Sequence, residues 1–560
     1  MPKDHRRRTP GLRRYLPVVY LAVAMIAAGL VLPSALRPPP DPANTSNALN
    51  PNAPPNQNNP DQILESLQEA GGAGAGASTS STTTTLRPAH QLASVAPPIT
   101  LPPTASLDYC YGNPPRQIPS VYAGPCVGAW QGNNGGSTSK NVLPNEIRIG
   151  FDNLDSPDNG RLPPMSSDTA STDSQTVTWQ VLQAYFNEHY QFYNRKVVFY
   201  GAGDPSASTA DDEATQATLE YSTYHLFILG HDDQGVCVDF VQQGLVGMCN
   251  GFADNVYEDN RPGMFSGIDM DLDQMAGFGA EYGCKTLYGK VAKFGGPDVN
   301  GHQRKFGFIN LEDVDGGIPS SAFGADVSSE CGGTVETASM TSGDDLDAAT
   351  EAVARFKADG VTTIFFMLPI ADILFLMEAA TSAAYTPEWA VLGEYSIDNN
   401  TIATVLPKEQ TAHLFGITNQ EWPQVPAATE CDQAFHSIDP GGSPNGTTCG
   451  LFWVDLVLIM DGIQGAGPDL TPATFQQALF RLGHRFGQAP WSIGGGYGPG
   501  SYSYPAAVSE VWYDSTAIDP GTGAPGAYRW THGGARYQRG QLTGDDSQLF
   551  KSGSPGAPEA

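Results

Sequence analysis

The sequence is poor in positive charge. It has 29 Lys and Arg residues against 59 Asp and Glu residues, for a net charge of −30. Six of those cations lie within the first 14 residues, so the remainder of the chain is more acidic still. A body this acidic repels the phosphate backbone of DNA and RNA, which excludes nucleic acid as a partner.

The motifs of several enzyme and cofactor classes are missing from the sequence. It has no G-x-S-x-G, no H-E-x-x-H and no P-loop, so it lacks the nucleophile turn, the zinc-binding pair and the phosphate cradle that those patterns provide. No C-x-x-C occurs, which removes support for zinc ribbons and thioredoxin-type redox sites. Asp269, Asp271 and Asp273 imitate the start of a calcium loop, but the later Gly and Glu of that loop are absent. We therefore expect no enzymatic activity, no metal and no other cofactor.

The longest uncharged run lies close to the N-terminus. Residues 15–36 contain no charged side chain and directly follow the basic residues 1–14. A helix of this length spans a bilayer core of about 30 Å, and the basic flank favours the cytoplasmic side. The pattern predicts a single-pass anchor in the cell membrane, with the body on the extracytoplasmic side. A cleaved signal peptide is the alternative, although the run is longer than the usual apolar core of such peptides.

Residues 37–145 have the composition of a tether rather than a domain. The stretch is rich in Pro, Gly, Ser and Thr, and such segments stay extended and solvated. Its exception is a Gly- and Pro-rich loop framed by Cys110 and Cys126, which we interpret as a small disulfide-closed entry to the main body.

The cysteines agree with export. Their number is even, as expected where disulfides form. Sequence alone allows 105 pairings of eight cysteines, and the simplest is sequential, with each bridge adding about 3 kcal/mol. The predicted pairs are Cys110–Cys126, Cys237–Cys249, Cys284–Cys331 and Cys431–Cys449.

From residue 146 onward, short apolar strands alternate with helices. EIRIGF (146–151), KVVFYGAG (196–203) and HLFILG (225–230) are typical of buried strands, and KFGFINL, TTIFFMLP, EWAVLGEYS and HLFGIT repeat the pattern later. Helical segments stand between them, and CVDFVQQGLVG is one of those predicted helices. This order predicts parallel sheets with crossover helices.

The body resembles the extracellular type I solute-binding proteins of the branched-chain amino-acid receptor (Leu/Ile/Val-binding protein-like) family. The resemblance rests on the order and spacing of EIRIGF, RKVVFYGAGDPSAS, DDLDAATEAVARFKADGVTTIFF, LFLMEAATSAAYTPEWAVLGEYS and the final helix pair. It implies an α/β fold of two doubly wound parallel-sheet lobes joined by a three-stranded hinge. Lobe 1 is expected to comprise 146–285 plus 411–485, lobe 2 to comprise 286–410 plus 486–543, and 544–560 to form a loose tail.

The resemblance also implies a ligand cleft between the lobes, at the carboxyl ends of the strands. Several residues of this sequence follow those strands. Each has a structural alternative, as a turn former, a solvated acid or surface histidine, or a hinge-packing aromatic. The predicted ligand-binding residues are Asp152, His231, Asp232, Glu312, Glu394, Tyr395 and Trp422.

The ligand class departs from the amino-acid receptors. Those receptors carry small and hydroxyl residues after the third strand, which hold the ligand carboxylate. The corresponding turn here contains Asp232 and Asp233, and two acids repel a carboxylate. The turn suits a cation, an amine or a polyhydroxyl ligand better.

Two functions remain open from the sequence. The first is an extracytoplasmic receptor that captures a small polar solute by hinge closure, with an ABC permease or a membrane sensor as its partner. The second is a membrane-anchored surface scaffold or partner-binding module that kept the fold and lost small-ligand binding.

Overall fold

The computed structural model describes residues 110–151, 154, 160–165, 174–202, 210–230, 234–249, 258–311, 317–341, 346–393 and 397–551. The predicted basic tail, membrane anchor and most of the predicted tether, residues 1–109, lie outside these described residues. Within the described part, strands and helices alternate as predicted and build two separate sheets. The two sheets define two lobes.

Lobe 1 contains a five-stranded parallel sheet in the order β2-β1-β3-β4-β5. Its strands are β1 Glu146–Phe151, β2 Lys196–Gly201, β3 Ile228–Gly230, β4 Val246–Met248 and β5 Met264–Phe265. Its helices are α1 Ser174–His189, α2 Ala210–Thr218, which a π-helical turn at Leu219–Thr223 extends, and α3 Gln234–Val241. The central strands are almost fully buried because helices cover both faces of such a sheet.

One prediction in this lobe is wrong. The segment CVDFVQQGLVG was expected to be helical throughout, but α3 ends at Val241 and β4 begins at Val246. Gly244 has a φ of +75°, a conformation that terminates the helix and turns the chain back to the sheet. The short strand then pairs with β3 and β5, which a helical pattern alone does not reveal.

Lobe 2 contains an eight-stranded sheet in the order β12-β11-β10-β9-β8-β6-β7, with β13 paired to β11. The strands β6 to β10 are parallel, whereas β11 runs antiparallel to β10 and β12 runs antiparallel to β11. The strands are β6 Phe306–Leu311, β7 Val335–Met340, β8 Thr363–Met367, β9 Glu388–Leu392, β10 Leu414–Thr418, β11 Ala507–Ile518, β12 Pro525–Trp530 and β13 Tyr537–Gln538.

Two helical layers cover this second sheet. The first is formed by α4 Leu272–Tyr282, which a π-helical turn at Gly283–Leu287 extends, and α5 Ser320–Cys331. The second is formed by α6 Leu346–Ala358 and α7 Ile370–Ser382, with the short helices α8 Asn400–Val405 and α9 Lys408–Thr411 beside them. Asp271 caps the N-terminus of α4 by accepting a hydrogen bond from the Gln274 backbone N–H at 2.7 Å, so this acid serves as a helix cap.

The chain returns to lobe 1 for its last three helices, which are α10 Glu430–Ile438, α11 Gly446–Ala466 and α12 Pro472–Leu482. Among the described helices, α11 is the one long and apolar enough to cross a membrane. Most of it is buried in the core of lobe 1, where Phe452 packs against Trp179 of α1 with ring centroids 5.0 Å apart. We therefore interpret α11 as a core helix.

The chain passes between the lobes three times. Crossover 1 is residues 266–271, crossover 2 is residues 419–429 and crossover 3 is residues 502–506. The predicted lobe boundaries at 285, 411 and 485 therefore need correction. Helix α4 and strand β10 belong to lobe 2, since β10 pairs with both β9 and β11. Residues 486–501 pack with lobe 1, where Ile493 and Tyr497 are buried.

The predicted tether ends earlier than residue 145. Residues 110–145 pack onto lobe 1 and bury Ile118, Tyr122 and Val142 in its core. The Tyr122 hydroxyl donates to the Glu421 carboxylate in crossover 2 and accepts from the Ile493 backbone N–H at 2.9 Å. The loop between Cys110 and Cys126 is thus an integral part of lobe 1 beside the hinge.

The predicted loose tail also begins later than expected. Residues 544–551 are described, and Leu549 is buried in lobe 2. Phe550 lies 5.0 Å from Phe294 and 5.3 Å from Trp512 between ring centroids. These aromatic contacts hold the segment on the lobe. The polar residues around Phe550 in the sequence had instead indicated a loose tail.

The disulfides follow the predicted sequential pairing, Cys110–Cys126, Cys237–Cys249, Cys284–Cys331 and Cys431–Cys449. Each joins neighbouring elements within one lobe. Cys237–Cys249 links α3 to the end of β4, and Cys431–Cys449 links α10 to α11. The bridges therefore stiffen the lobes and leave the crossovers free to bend.

A fully buried ion pair lies at the amino end of the lobe 2 sheet. Arg304 donates from Nε and Nη2 to the two oxygens of Glu388, at 2.8 and 2.9 Å, and both side chains have no exposed surface. Glu388 also accepts hydrogen bonds from the backbone N–H groups of Lys293 and Phe294 and from the Thr363 hydroxyl. Both charges are therefore compensated without water.

We expect Glu388→Gln to lower the free energy of unfolding by about 3 kcal/mol, because it leaves the Arg304 charge buried without a counter-ion. Glu336→Gln is the matched control, since the Glu336–Lys305 pair is partly exposed on both sides and such pairs contribute about 0–1 kcal/mol. Urea unfolding followed by circular dichroism measures both. Equal stability of the two variants would contradict the assigned role of the buried pair.

Candidate functional site

The carboxyl ends of both parallel sheets face the same gap between the lobes. Strand β5 leads directly into crossover 1 at Ser266, and β10 leads directly into crossover 2 at Asn419. All strands of lobe 1, and β6 to β10 of lobe 2, run in the same direction as these two within their sheets. Both sets of carboxyl ends therefore meet at the crossovers, where open α/β sheets place their ligands.

Most of the predicted site residues follow these strand ends in the chain. Asp152 comes directly after β1, His231 and Asp232 after β3, and Glu312 after β6, while Glu394 and Tyr395 follow Gly393 at the end of β9. These six residues lie outside the described part of the chain. Their participation in a site stays a prediction. The described residues that precede them in the chain show where the segments containing them begin.

On the lobe 1 side, two of these starting points are neighbours. Phe151 at the end of β1 and Gly230 at the end of β3 are register partners. A Cβ at Gly230 would come within 2.5 Å of the Phe151 ring, so glycine permits the close approach of the two strand ends. The strands that precede Asp152 and His231 in the chain therefore end side by side.

On the lobe 2 side, the end of β9 contacts two crossovers. Gly393 has a φ of +84°, which favours glycine, and a Cβ there would come within 2.7 Å of Cε of Met270 and 3.4 Å of Oδ1 of Asn419. The chain that continues into Glu394 and Tyr395 thus starts beside crossovers 1 and 2.

Trp422 is the one predicted site residue that the structure describes. It lies in crossover 2, half-buried against the lobe 2 core, and its backbone N–H donates to the carbonyl of Trp491 at 3.3 Å. This placement agrees with hinge packing, the structural alternative weighed for this residue. A stacking contact with a ligand stays a prediction.

The crossovers are held side by side by hydrogen bonds. The Asn419 amide donates from Nδ2 to the carbonyl of Ile268 at 2.6 Å, which joins crossovers 1 and 2. The backbone of Ser266 donates to Tyr502 and accepts from Tyr504, which joins crossovers 1 and 3. Arg536 donates to the carbonyl of Asn419 at 3.0 Å and also to that of Gln420. These contacts form the bottom of the gap, and we call the surface that these residues and their buried neighbours form there the floor.

Buried polar groups on this floor were not predicted from the sequence. Asp398 is 3% exposed and accepts a hydrogen bond from the Thr418 hydroxyl at one oxygen, while its Oδ1 has no hydrogen-bond partner among the described residues. Asn419 is fully buried, and within the same described part its Oδ1 also lacks a partner. Asp398 precedes the Asn399 cap of α8, so its pattern is that of a helix start. The one sequence feature that could have indicated Asp398 as a site residue is its position four residues after the predicted site residue Glu394.

The environment of Asp398 disfavours its charged form. Burial raises the pKa of the Asp398 carboxyl to about 8, and the Asp269 carboxylate of crossover 1 adds to the rise, whereas the Thr418 hydrogen bond and the Arg536 charge oppose it. Burial also lowers the pKa of Arg536 to about 10, which leaves this guanidinium charged at neutral pH. The floor therefore carries a carboxyl group that exchanges its proton near neutral pH.

A second acidic group lies where the N-terminal loop contacts the hinge. Burial raises the pKa of Glu421 to about 7, and the nearby Glu430 adds to this effect, while the hydrogen bond from Tyr122 opposes it. Glu430 accepts from the Val121 backbone N–H at 2.7 Å and from the Trp453 indole at 2.9 Å. These bonds are internal to lobe 1 and crossover 2, so we assign this group to the attachment of the loop rather than to the gap.

The raised pKa of Asp398 predicts a pH dependence of stability. The folded state binds more protons than the unfolded chain between the ordinary pKa of 3.8 and about 8, so Asp398 lowers the free energy of unfolding progressively as pH rises through that window. Asp398→Asn removes this contribution. We expect the difference in melting temperature between variant and wild type to grow in favour of the variant from pH 4 to pH 8.5.

Differential scanning calorimetry at four pH values measures this difference. Glu351→Gln is the matched control because it removes one carboxylate from an exposed position on α6. Parallel melting curves of wild type and Asp398→Asn across the whole range would contradict the assignment.

No protein-family model matches the sequence, and no curated protein matches it. Solved structures do. A possible leucine/isoleucine/valine-binding protein from Rhodopirellula baltica shares 10% identity at a TM-score of 0.47, covering 69% of this chain and 96% of that one. An ABC-transporter solute-binding protein from R. palustris in complex with 4-hydroxybenzoate shares 14% sequence identity at a TM-score of 0.47, and the match covers 71% of this chain and 98% of that one. A substrate-binding protein of an ABC transporter from Aeropyrum pernix shares 11% sequence identity at a TM-score of 0.48, and the match covers 71% of this chain and 97% of that one.

The described part of the chain thus has the α/β architecture that the sequence resemblance implied, as its own sheet order and three crossovers show. The solved structures to which it is similar are Leu/Ile/Val-binding protein-like type I periplasmic binding proteins of ABC transporters, at low sequence identity.

Proposed function

We propose that this chain is an extracytoplasmic receptor that binds a small polar solute between its two lobes and closes by bending at the three crossovers. The observation that carries the proposal is that the carboxyl ends of two parallel sheets face one gap bridged by three chain segments. Such a gap buries a ligand from both sides when the lobes close. The receptor delivers its solute to an ABC permease or reports it to a membrane sensor, and it performs no chemistry on the solute.

The charge of the segments that follow the strands supports a cationic or hydroxyl-rich solute. The first residues after seven of the strands, 152–159, 203–209, 231–233, 250–257, 312–316, 342–345 and 394–396, include at least one Asp or Glu each and no Lys or Arg. The loops after β1 and β4 continue to Arg161, which pairs with Glu146, and to Arg261. Carboxylate ligands need a positive or neutral donor surface, so this composition disfavours them. Asp152, His231 and Asp232 from lobe 1 would then bind the solute opposite Glu312, Glu394 and Tyr395 from lobe 2, with Trp422 at the hinge.

We expect a thermal-shift screen of amines, sugars, ureas and amino acids on the full-length chain to identify a solute that raises the melting temperature. A solute present at 100 times its Kd adds about 2.7 kcal/mol to the stability of the folded state. Calorimetry on Glu394→Gln and Asp232→Asn should then show a ten- to hundredfold loss of affinity, equivalent to about 1.5–3 kcal/mol for one charge-assisted hydrogen bond.

Glu351→Gln, on the exposed face of α6, should bind the same solute unchanged. If no solute class stabilises the chain, the receptor proposal fails and the scaffold alternative takes its place. If a solute binds but both site variants retain full affinity with an intact circular dichroism spectrum, the lobe residues have been placed wrongly.

The predicted N-terminal membrane anchor is a separate part of the proposal. Residues 15–36 would anchor the receptor in the cell membrane as a single span, with residues 1–14 in the cytoplasm and the described body outside. N-terminal sequencing of the mature chain, isolated from the membrane fraction of expressing cells, should find residues upstream of position 15. A mature chain that begins near residue 36 would instead identify a cleaved signal peptide.

A further inference from the structure

We propose that the floor of the gap binds a protonated amine through the buried oxygens Asp398 Oδ1 and Asn419 Oδ1. This inference rests on the proposed receptor function and assigns a ligand class and two binding residues to it. It depends on the described floor of the gap alone, and not on the segments that follow the strands.

The first argument is the hydrogen bonding of the two oxygens. Asp398 has one oxygen satisfied by Thr418, and Asn419 has its amide nitrogen satisfied by the carbonyl of Ile268. Each side chain keeps a second, buried oxygen that lacks a donor within the described residues. Burying an acceptor without a donor costs about 1–3 kcal/mol, so two such oxygens on one floor favour a ligand group that donates more than one hydrogen bond.

The second argument is the position of these oxygens. Thr418 ends β10 and Asn419 begins crossover 2, while Asp398 lies in the connection from β9 to α8. Both side chains are therefore at the carboxyl edge of the lobe 2 sheet, which faces lobe 1. Gly393, where a Cβ would lie 3.4 Å from Asn419 Oδ1 and 2.7 Å from Cε of Met270, borders the same place. The floor thus lies where the lobes meet on closure.

The third argument is charge. The groups that face Asp398 are Thr418 on β10, Asp269 on crossover 1, Arg536 on the C-terminal segment and Tyr528 on β12. Arg536 donates to the backbone carbonyls of Asn419, Gln420 and Trp491, whereas its Nε has no partner among the described residues. Its charge offsets only part of the negative charge of Asp398 and Asp269. A carboxyl with a second carboxylate nearby binds a cation better than a neutral hydroxyl group, because the cation offsets both charges. An ammonium group supplies the charge and up to three donors.

Proton release distinguishes this site from a merely structural carboxyl. Burial keeps part of Asp398 protonated at pH 7, and the bound ammonium ion requires the ionised form. Amine binding at pH 7 should therefore release a proton, and the affinity should rise with pH until the free amine itself loses its charge.

The experiment is isothermal titration calorimetry on the full-length chain with ethanolamine, putrescine and the uncharged analogue ethylene glycol. Titrations in phosphate and in PIPES at pH 7 give the number of protons released. We expect the amines to bind with release of a fraction of a proton to one proton, ethylene glycol to bind at least tenfold more weakly, and Asp398→Asn to lose tenfold or more in amine affinity together with the proton release. Glu351→Gln, which removes an exposed carboxylate, should retain both.

Each other outcome overturns the inference in a recognisable way. Amines that bind equally to Asp398→Asn bind elsewhere, and equal binding of ethylene glycol identifies a hydroxyl site. If another solute class from the thermal screen binds while the amines do not, the floor assignment fails and the receptor function stands. If nothing binds at all, the receptor function fails with it. Should Asp398→Asn not fold, the absence of proton release from the wild type is sufficient to refute the proposal.

Discussion

The hydrogen bonds that join the three crossovers decide how the two lobes are related. Asn419 binds the carbonyl of Ile268, and Arg536 binds carbonyls of crossover 2 from the C-terminal segment. Both sheets end at these crossovers, so one small set of contacts aligns the carboxyl ends of ten parallel strands, β1 to β5 and β6 to β10, around a common gap. These contacts lie between the buried cores of the two lobes, which is the position that hinge residues take in proteins whose domains close around a ligand.

The two edges of the lobe 2 sheet treat buried charge in opposite ways. At the amino edge, Glu388 is matched by Arg304 and by three further donors, so its charge is fully compensated. At the carboxyl edge, burial raises the pKa of Asp398, the nearby Asp269 adds to the rise, and the Thr418 hydroxyl is its one side-chain donor within the described residues. The first arrangement stabilises the lobe, whereas the second costs stability, as buried groups at functional sites often do.

Lobe 1 carries a disulfide-closed loop at the N-terminal end of its described residues. The Cys110–Cys126 loop buries Tyr122 between lobe 1 and crossover 2, with its ring in edge-to-face contact with Trp491 and Tyr504. Arg485 donates to the carbonyls of Tyr122 and Ala123 and secures the loop from the other side. The segment that arrives from the N-terminus therefore joins the body beside the hinge, and the disulfide keeps that junction compact.

The amino-acid sequence by itself determined the type of most elements, although it did not reveal the short strand β4, and it determined the strongly acidic character of the chain. The buried strands EIRIGF and TTIFFM and the helix from Leu346 to Ala358 could be predicted because apolar runs and charge patterns are local properties. The sequential cysteine pairing was the simplest of 105 possibilities, and the tertiary structure selected it. The tertiary structure alone decided which lobe each element joined. The sequence of β10 is typical of any buried strand, and only its pairing with β9 and β11 assigns it to lobe 2. Asp398 and Asn419 escaped prediction for the same reason, since their burial and their unmatched oxygens arise from contacts with Thr418 and Ile268 that are distant in the chain.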